Sequence, residues 1–357
     1  MDKFKIDSHK LAYHVSRVHD WMRGERIYPI YAEISPTGAC NHRCVYCGLD
    51  FMDYRPRQLD TGLLKTRLSE MSKLGVKSVM FAGEGEPFLH KDMTRLVRCA
   101  KDAGLSAAVT TNGVLFGKED AEGVLEAADW VKASVDAAMP QTYAKIHGAD
   151  PGDLDRVIEN MSYAAKVRDR NGYDCALGIQ LLLLPENRGE VTALARRARE
   201  IGMDYFVVKP YSQHPQSRTR QYDSVRYADG DEQRLTEELE TLKTAKFDII
   251  FRKRAMEKWD EGTRTYEHCR ALPFWSYIDA GGEVWGCSVY LGDERFLYGN
   301  INDNTFQEIW EGEKRQRSLQ WVENDLDAAK CRVNCRMDEI NRYLWEIKNP
   351  PKHVNFI

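Results

Sequence analysis

Three cysteines, Cys40, Cys44 and Cys47, stand at spacing C-x3-C-x2-C directly after an apolar stretch that reads as a first β-strand. Thiolates this close in sequence can wrap one short loop around a metal centre. A tetrahedral zinc or a four-iron cluster closed by protein takes four ligands. Three leave one iron with an open position, which a substrate or cofactor can occupy. Tyr46, an aromatic residue, stands just before the last cysteine. The plainer alternatives are a zinc knuckle lacking one ligand, and buried cysteines with no redox role.

Cys269, Cys287, Cys331 and Cys335 form a second set. Cys287 is reached through the turn Gly282-Glu283-Val284-Trp285-Gly286, and the last two cysteines are spaced C-x3-C. Four thiolates from three chain segments can close a zinc site or a four-iron cluster. A cluster fully ligated by protein has no vacant iron, so its natural task is moving an electron. The alternative is a staple that only holds a small domain together. Cys99, in the helical pattern Leu96-Val97-Arg98-Cys99-Ala100, reads as a core residue. Cys175 opens the fifth strand pattern, away from the catalytic face. Neither is well placed to give a hydrogen atom to a bound substrate.

Polar residues gather where the apolar runs end. After the second run comes Ala82-Gly83-Glu84-Gly85-Glu86-Pro87. Glycines let the backbone approach a ligand closely, and a carboxylate there can receive an ammonium group. Later runs end in Thr110-Thr111-Asn112-Gly113 and Ser134-Val135-Asp136. Their hydroxyls and amides suit hydrogen bonds to a diol, and also turn capping, the plainer role for Asn112-Gly113. Gln180 points inward among leucines, where its amide must be paired. The sixth run ends in Val208-Lys209-Pro210-Tyr211-Ser212-Gln213-His214. Lys209, Tyr211 and His214 then face the open end and suit substrate contact or base duty, a surface lysine and a loop histidine being the plainer equivalents.

These residues need a frame, and the alternation of segments supplies one. Strand patterns fall at Ile30–Ser35, Val76–Ala82, Ser106–Thr110, Trp130–Val135, Leu177–Leu184 and Tyr205–Tyr211. Helical patterns lie near 60–74, 91–103, 118–128, 151–171 and 189–201, with another over Asp231 to Lys246. Four of them stop at Gly75, Gly104, Gly172 and Gly202, as helices closed by a left-handed residue do. Strands alternating with helices imply right-handed crossovers and a parallel sheet. Six such units suit an α/β fold of partial (β/α)6 barrel type, with ligand chemistry at the C-terminal ends of its strands. The three-cysteine loop falls on that face. From Phe247 the chain changes character, carrying four of nine cysteines and six of eight tryptophans. The expected division is an extension over 1–29, a barrel over 30–246 and an iron–sulfur domain over 247–357.

At 357 residues the chain can bury a full core. Its 51 basic and 55 acidic residues give a formal charge of -4, which argues against a general nucleic-acid surface. The opening MDKFKIDSHK has no apolar core of a secretory signal, and the run from Ala176 to Leu184 is about half of a membrane span. Clustered cysteines favour metal ligation in a reducing cytoplasm over disulfides. Arg196-Arg197 and Arg252-Lys253-Arg254 read as solvated faces, with a phosphate contact at Arg252 or Arg254 as the alternative.

Cys40-Asn41-His42-Arg43-Cys44-Val45-Tyr46-Cys47 resembles the cluster motif of the radical S-adenosylmethionine (SAM) enzymes. In that family the fourth iron binds SAM and cleaves it reductively to a 5′-deoxyadenosyl radical. Gly85, Glu86 and Pro87 match the family's Gly-Gly-Glu-Pro motif, which holds the SAM amino group. Glu84 departs from it, so either Glu84 or Glu86 could make the contact, Glu86 being the better match. The resemblance also implies SAM contacts at Tyr46, Ser134, Asp136 and Gln180. Tyr277-Ile278-Asp279, Tyr298-Gly299-Asn300-Ile301 and Phe306-Gln307-Glu308-Ile309-Trp310 are similar to the SPASM and twitch extensions of these enzymes. A full SPASM domain carries seven cysteines; four here resemble the shortened type with one auxiliary 4Fe-4S cluster. The resemblance spans roughly residues 30–340. It implies an oxidoreductase that takes hydrogen from a sugar, aminocyclitol or nucleotide-sugar, fed by a flavodoxin- or ferredoxin-like electron donor. The alternatives are a peptide-modifying maturase, against which the short stretch 1–29 counts, a radical SAM epimerase, or a non-catalytic metal-binding module.

Overall fold

A computed structural model of the chain describes residues 4–227 and 231–356. The six apolar runs form strands β1 (Tyr31–Ile34), β2 (Ser78–Phe81), β3 (Ser106–Thr111), β4 (Trp130–Ser134), β5 (Ala176–Leu183) and β6 (Tyr205–Pro210). Each pairs in parallel with the next. Two further parallel strands extend the edges, β7 (Asp248–Phe251) beside β6 and β8 (Trp275–Ile278) beside β1. Strands β9 (Glu283–Trp285) and β10 (Leu297–Asn300) then add in antiparallel fashion. One open ten-stranded sheet results. It is a partial β/α barrel whose sheet runs on into the cysteine-bearing C-terminal region.

The crossover helices cover the outer face. Helix Thr61–Lys73 is capped by Asp60, whose carboxylate accepts from the Leu63 N–H at 2.7 Å, and it buries Leu64, Leu68 and Met71. Helix Met93–Asp102 buries Leu96, Val97 and Cys99. Along β4, Val131 and Ala133 are fully buried under the helices, whereas Trp130, Lys132 and Ser134 point to the barrel interior. The interior has an apolar floor, where Phe4 and Ile6 pack against Tyr205, Val207 and Ile250.

The gap between the β7 and β8 edges is bridged by the chain after Cys331. On one side Lys258 pairs with Asp338 (2.8 Å) and Glu339 (2.6 Å). On the other, Ile340 and Leu344 pack with Phe274 just before β8. Among the described residues no helix is long and apolar enough to cross a membrane.

Candidate active site and auxiliary metal centre

Cys40, Cys44 and Cys47 lie on the loop after β1, and all three are free thiols. The backbone N–H groups of Arg43 and Val45 donate to the carbonyls of His147 (3.0 Å) and Ile146 (2.9 Å). The loop is thereby stitched to the end of helix Pro140–His147, a helix absent from the sequence expectation. Gly148 permits this approach: its φ is +54°, and a Cβ there would lie 2.3 Å from the Arg43 carbonyl oxygen. The His42 ring reaches Asp153 at 3.3 Å, and Asn41 accepts from the Asn112 amide at 2.7 Å.

Burial pushes the Cys44 thiol well up, and the neighbouring Cys47 and Cys40 push it further. Thiols that oppose each other's ionisation in this way suit a cationic metal core. Zinc–sulfur bonds of about 2.3 Å would draw thiolates to roughly 3.8 Å apart. Among the described residues no three cysteine sulfurs lie within 4.8 Å of one another. His42, Cys44 and His147 do come that close. Both histidines engage Nε2 elsewhere, His42 with Asp153 and His147 with the Asp136 N–H, and their rings surround the thiol.

Glu86 sits at the end of β2 with both carboxylate oxygens engaged. They accept from the Thr111 hydroxyl (2.6 Å), the Phe88 N–H (3.1 Å) and the Asn112 N–H (2.7 Å). Burial pushes its pKa up to about 6 against the lowering effect of these donors. The Thr111-Asn112 turn therefore braces Glu86. Gly85 brings this loop against the cluster loop, since a Cβ would lie 2.3 Å from the carbonyl oxygens of both Thr37 and Ala39. Pro87 opens a short 3-10 turn that Glu86 caps. Glu84 turns the other way. It pairs with Arg57 at 3.2 Å and accepts from the Ala280 N–H at 2.8 Å, which commits it to the junction with β8.

Across the barrel, Ser134 on β4 is level with Gln180 on β5. The Gln180 amide finds its partner in Lys132, whose ammonium donates to Oε1 at 2.8 Å. Asp136 is buried; one carboxylate oxygen accepts from the Leu182 N–H at 2.6 Å, and the other has no hydrogen-bond partner among the described residues. That oxygen faces the His147 ring at 3.5 Å, and the Tyr46 hydroxyl also reaches this carboxylate. Tyr46 folds back under its loop, with its ring 6.1 Å from that of His147.

Three residues were expected to face the open end of β6. Lys209 points to the interior, where burial pushes its pKa down to about 8. Tyr211 is buried against Tyr222 and Trp259. Its hydroxyl donates to Gln213. His214, the third, has both ring nitrogens engaged. Its Nδ1 accepts from the Gln216 N–H at 3.2 Å, so Nε2 carries the proton and faces the Ser288 carbonyl at 3.3 Å. Neither nitrogen is left to take a proton. The ring instead stacks on Phe51 and wedges the cluster loop against the C-terminal domain.

Cys269, Cys287 and Cys335 pack in one apolar cluster with Trp275, Trp285 and Phe296. Cys331 joins them through the Tyr290 hydroxyl, 3.4 Å from its sulfur. Burial pushes the Cys287 thiol well up, and Cys335, Cys269 and Cys331 all add to the effect. Four thiols from separated segments thus converge. The C-x3-C segment is also fastened to the barrel. Arg336 forms an ion pair with the buried Glu33 of β1, and Arg332 donates to the Ser212 hydroxyl at 2.9 Å.

His42, Lys132 and His147 were not anticipated from sequence. The lysine had a visible signal: it occupies an interior-facing position of an otherwise apolar strand.

Residues 34–198 match the Radical SAM superfamily, and residues 269–336 match the iron-sulfur cluster-binding domain SPASM. An AdoMet-dependent heme synthase from Methanosarcina barkeri is 27% identical over 302 residues, 79% of this chain and 82% of that protein. The mycofactocin maturase MftC from Mycolicibacterium smegmatis is 26% identical over 310 residues, 85% and 75% of the two chains. Only 41% to 57% of three GTP 3′,8-cyclases, from Chlorobaculum tepidum and two Methanosarcina species, is covered. The crystal structure of SuiB from Streptococcus suis bound to its precursor peptide SuiA is similar with a TM-score of 0.64. That match covers 84% of this chain and 69% of SuiB at 18% identity, which speaks to the fold. The chain therefore carries a radical SAM domain and, C-terminal to it, an iron-sulfur cluster-binding SPASM domain.

Proposed function

We propose that this radical SAM enzyme is an oxidoreductase acting on a small carbohydrate-like substrate, a sugar, aminocyclitol or nucleotide-sugar. Cys40, Cys44 and Cys47 would hold the 4Fe-4S cluster that the family carries with SAM. When bound, these cofactors supply a 5′-deoxyadenosyl radical able to take hydrogen from a substrate carbon. Glu86 would receive the SAM ammonium, while Ser134, Gln180 and Asp136 would orient the rest of that molecule. A base then takes a proton and an electron leaves toward Cys269, Cys287, Cys331 and Cys335, so that an alcohol ends as a ketone. A flavodoxin- or ferredoxin-like protein would supply the priming electron.

The observation behind this reading is the convergence of those four thiols on a segment bolted to the barrel by Arg336 and Glu33. A cluster closed by four thiolates has no vacant iron, and electron transfer is the chemistry left to it. The test is product analysis after anaerobic turnover of candidate alcohols with SAM and a reductant. A ketone is expected, with one 5′-deoxyadenosine per turnover. An epimer carrying deuterium from heavy water would overturn the oxidase reading.

A peptide-modifying role is the second reading, favoured by similarity to a maturase, MftC, over 85% of this chain. Modification of a peptide but of no free alcohol in the same assay would select it.

A further inference from the structure

The interior of the barrel holds more positive charge than its own carboxylates neutralise. Two of its cations are matched: Arg252 pairs with Asp7 at 3.1 Å, and Arg336 with Glu33. Lys132 is not. Its ammonium has only neutral partners, Gln180 at 2.8 Å and the Trp130 ring at 5.5 Å. Lys209 has no ion pair or hydrogen bond among the described residues. Arg332, whose charge Lys209 feels, donates to the neutral Ser212. Asp136 attracts Lys209 from beyond ion-pair distance.

The register stacks these groups on one side of the interior. Lys209 on β6 is level with Leu182 on β5. Ser134, Gln180 and Val207 form the layer beneath, and Lys132, Gly178 and Tyr205 the layer below that. Phe4, Ile6 and Ile250 pack against Tyr205 and Val207 and line these two lower layers with apolar surface. Uncompensated ammonium groups beside apolar surface are costly, and a chain that keeps two of them there gains if an incoming anion restores the balance. Burial and mutual repulsion push Lys132 down to about 7, the response expected of a lysine waiting for a counter-charge.

We infer that Lys132 and Lys209 form an anion site inside the barrel that takes a carboxylate or phosphate group of the substrate. Gln180 holds Lys132 in place, and Arg332 adds to the field. The site lies on the β4–β6 side beside Ser134 and Gln180, across the interior from the β1–β2 ends that carry the cysteine loop and Glu86. An anionic group anchored there would leave the uncharged part of the substrate facing the SAM side. This inference rests on the reading of the chain as a substrate-oxidising radical SAM enzyme and narrows that substrate to an anionic one.

The test is calorimetric titration of the reconstituted holoenzyme with inorganic phosphate and, separately, with acetate, at constant ionic strength set by chloride. Binding of at least one anion is expected, weakened about tenfold or more by Lys209→Met and by Lys132→Met, since each removes a charge-assisted hydrogen bond. Phosphate binding alone assigns a phosphorylated substrate, and acetate binding alone a carboxylate. No binding of either anion, or binding untouched by both substitutions, overturns the site. Melting temperatures provide a second readout. Removing an unpaired buried charge should leave the free variants at least as stable as the unaltered enzyme, whereas a marked fall would mean that the lysines are paired structural groups. Release of 5′-deoxyadenosine by the unaltered enzyme is measured alongside, so that failure of the radical reading and failure of the anion site are told apart.

Discussion

The His147 ring hands one nitrogen to a backbone N–H and the other to a cluster thiol. Nε2 accepts from the Asp136 N–H at 3.1 Å, which places the ring proton on Nδ1, 3.5 Å from Cys44 Sγ. Burial pushes the ring pKa down to about 3, so it stays neutral and the tautomer is fixed by its acceptor.

A donor aimed at a ligating sulfur favours the reduced, more negative cluster. A hydrogen bond worth about 1 kcal/mol more in that state corresponds to roughly 40 mV for a one-electron couple. His147→Phe keeps the ring that stacks on Tyr143, whose centroid lies 4.2 Å away, and removes the donor. The expected outcome is a midpoint potential lower by that amount in an EPR-monitored titration. An unchanged potential would leave His147 a packing residue only.

Glu86 carries a prediction about pH. With its pKa raised to about 6 by burial, the carboxyl is neutral in mild acid and ionised near neutrality. An ammonium ligand needs the ionised form. SAM affinity should therefore fall as pH drops through 6, by roughly tenfold between pH 7 and pH 5. Glu86→Gln should bind weakly and with little pH dependence. A flat profile for the unaltered enzyme would move the ammonium contact elsewhere.

Glu84 tests the competing assignment. Its bonds to Arg57 and the Ala280 N–H join β2 to the region after β8. Arg57 is about one-third exposed, which softens the loss of the pair. Glu84→Ala is expected to lower unfolding stability by about 1–2 kcal/mol through the orphaned Ala280 N–H, since Arg57 keeps Asp279 at 3.7 Å. Release of 5′-deoxyadenosine should persist. Its abolition in a folded variant would show that Glu84, rather than Glu86, serves the cofactor.

Much of this frame is legible in the residue order because burial on both faces makes each parallel strand a continuous apolar run. Strands β1 to β6 fall within two residues of expectation, and the four helix-stopping glycines all have positive φ. The helix Pro140–His147 escapes because its eight residues, PQTYAKIH, show little apolar periodicity and begin straight after a turn. With it goes the role of His147, which depends on two partners distant in sequence. Glu84 stands out as a departure from a motif, but its partner Arg57 lies on another loop and only the folded chain joins them. At His214 the converse holds: a histidine at a strand end looks available, and only the folded chain shows the Gln216 N–H and the Ser288 carbonyl against its ring. Strands β7 and β8 are short and flank polar segments, so their docking onto both edges of the sheet is a tertiary outcome.

The C-terminal thiols bear on whether oxidation needs a second cluster. Each 4Fe-4S cluster contributes four irons, so the reconstituted chain should hold about eight, with Cys287→Ala and Cys335→Ala each falling toward about four. Cys335 lies next to Arg336, which anchors that segment to Glu33, whereas the backbone of the Cys40–Cys47 loop is bonded to His147 and Ile146 and its His42 ring to Asp153. Loss of the distal cluster should thus spare SAM cleavage while stopping formation of the ketone. The decisive measurement is the ratio of oxidised product to 5′-deoxyadenosine in each variant. A ratio near zero fits an electron leaving through the SPASM domain. A ratio equal to that of the unaltered enzyme would reduce those four thiols to a structural staple and send the electron elsewhere.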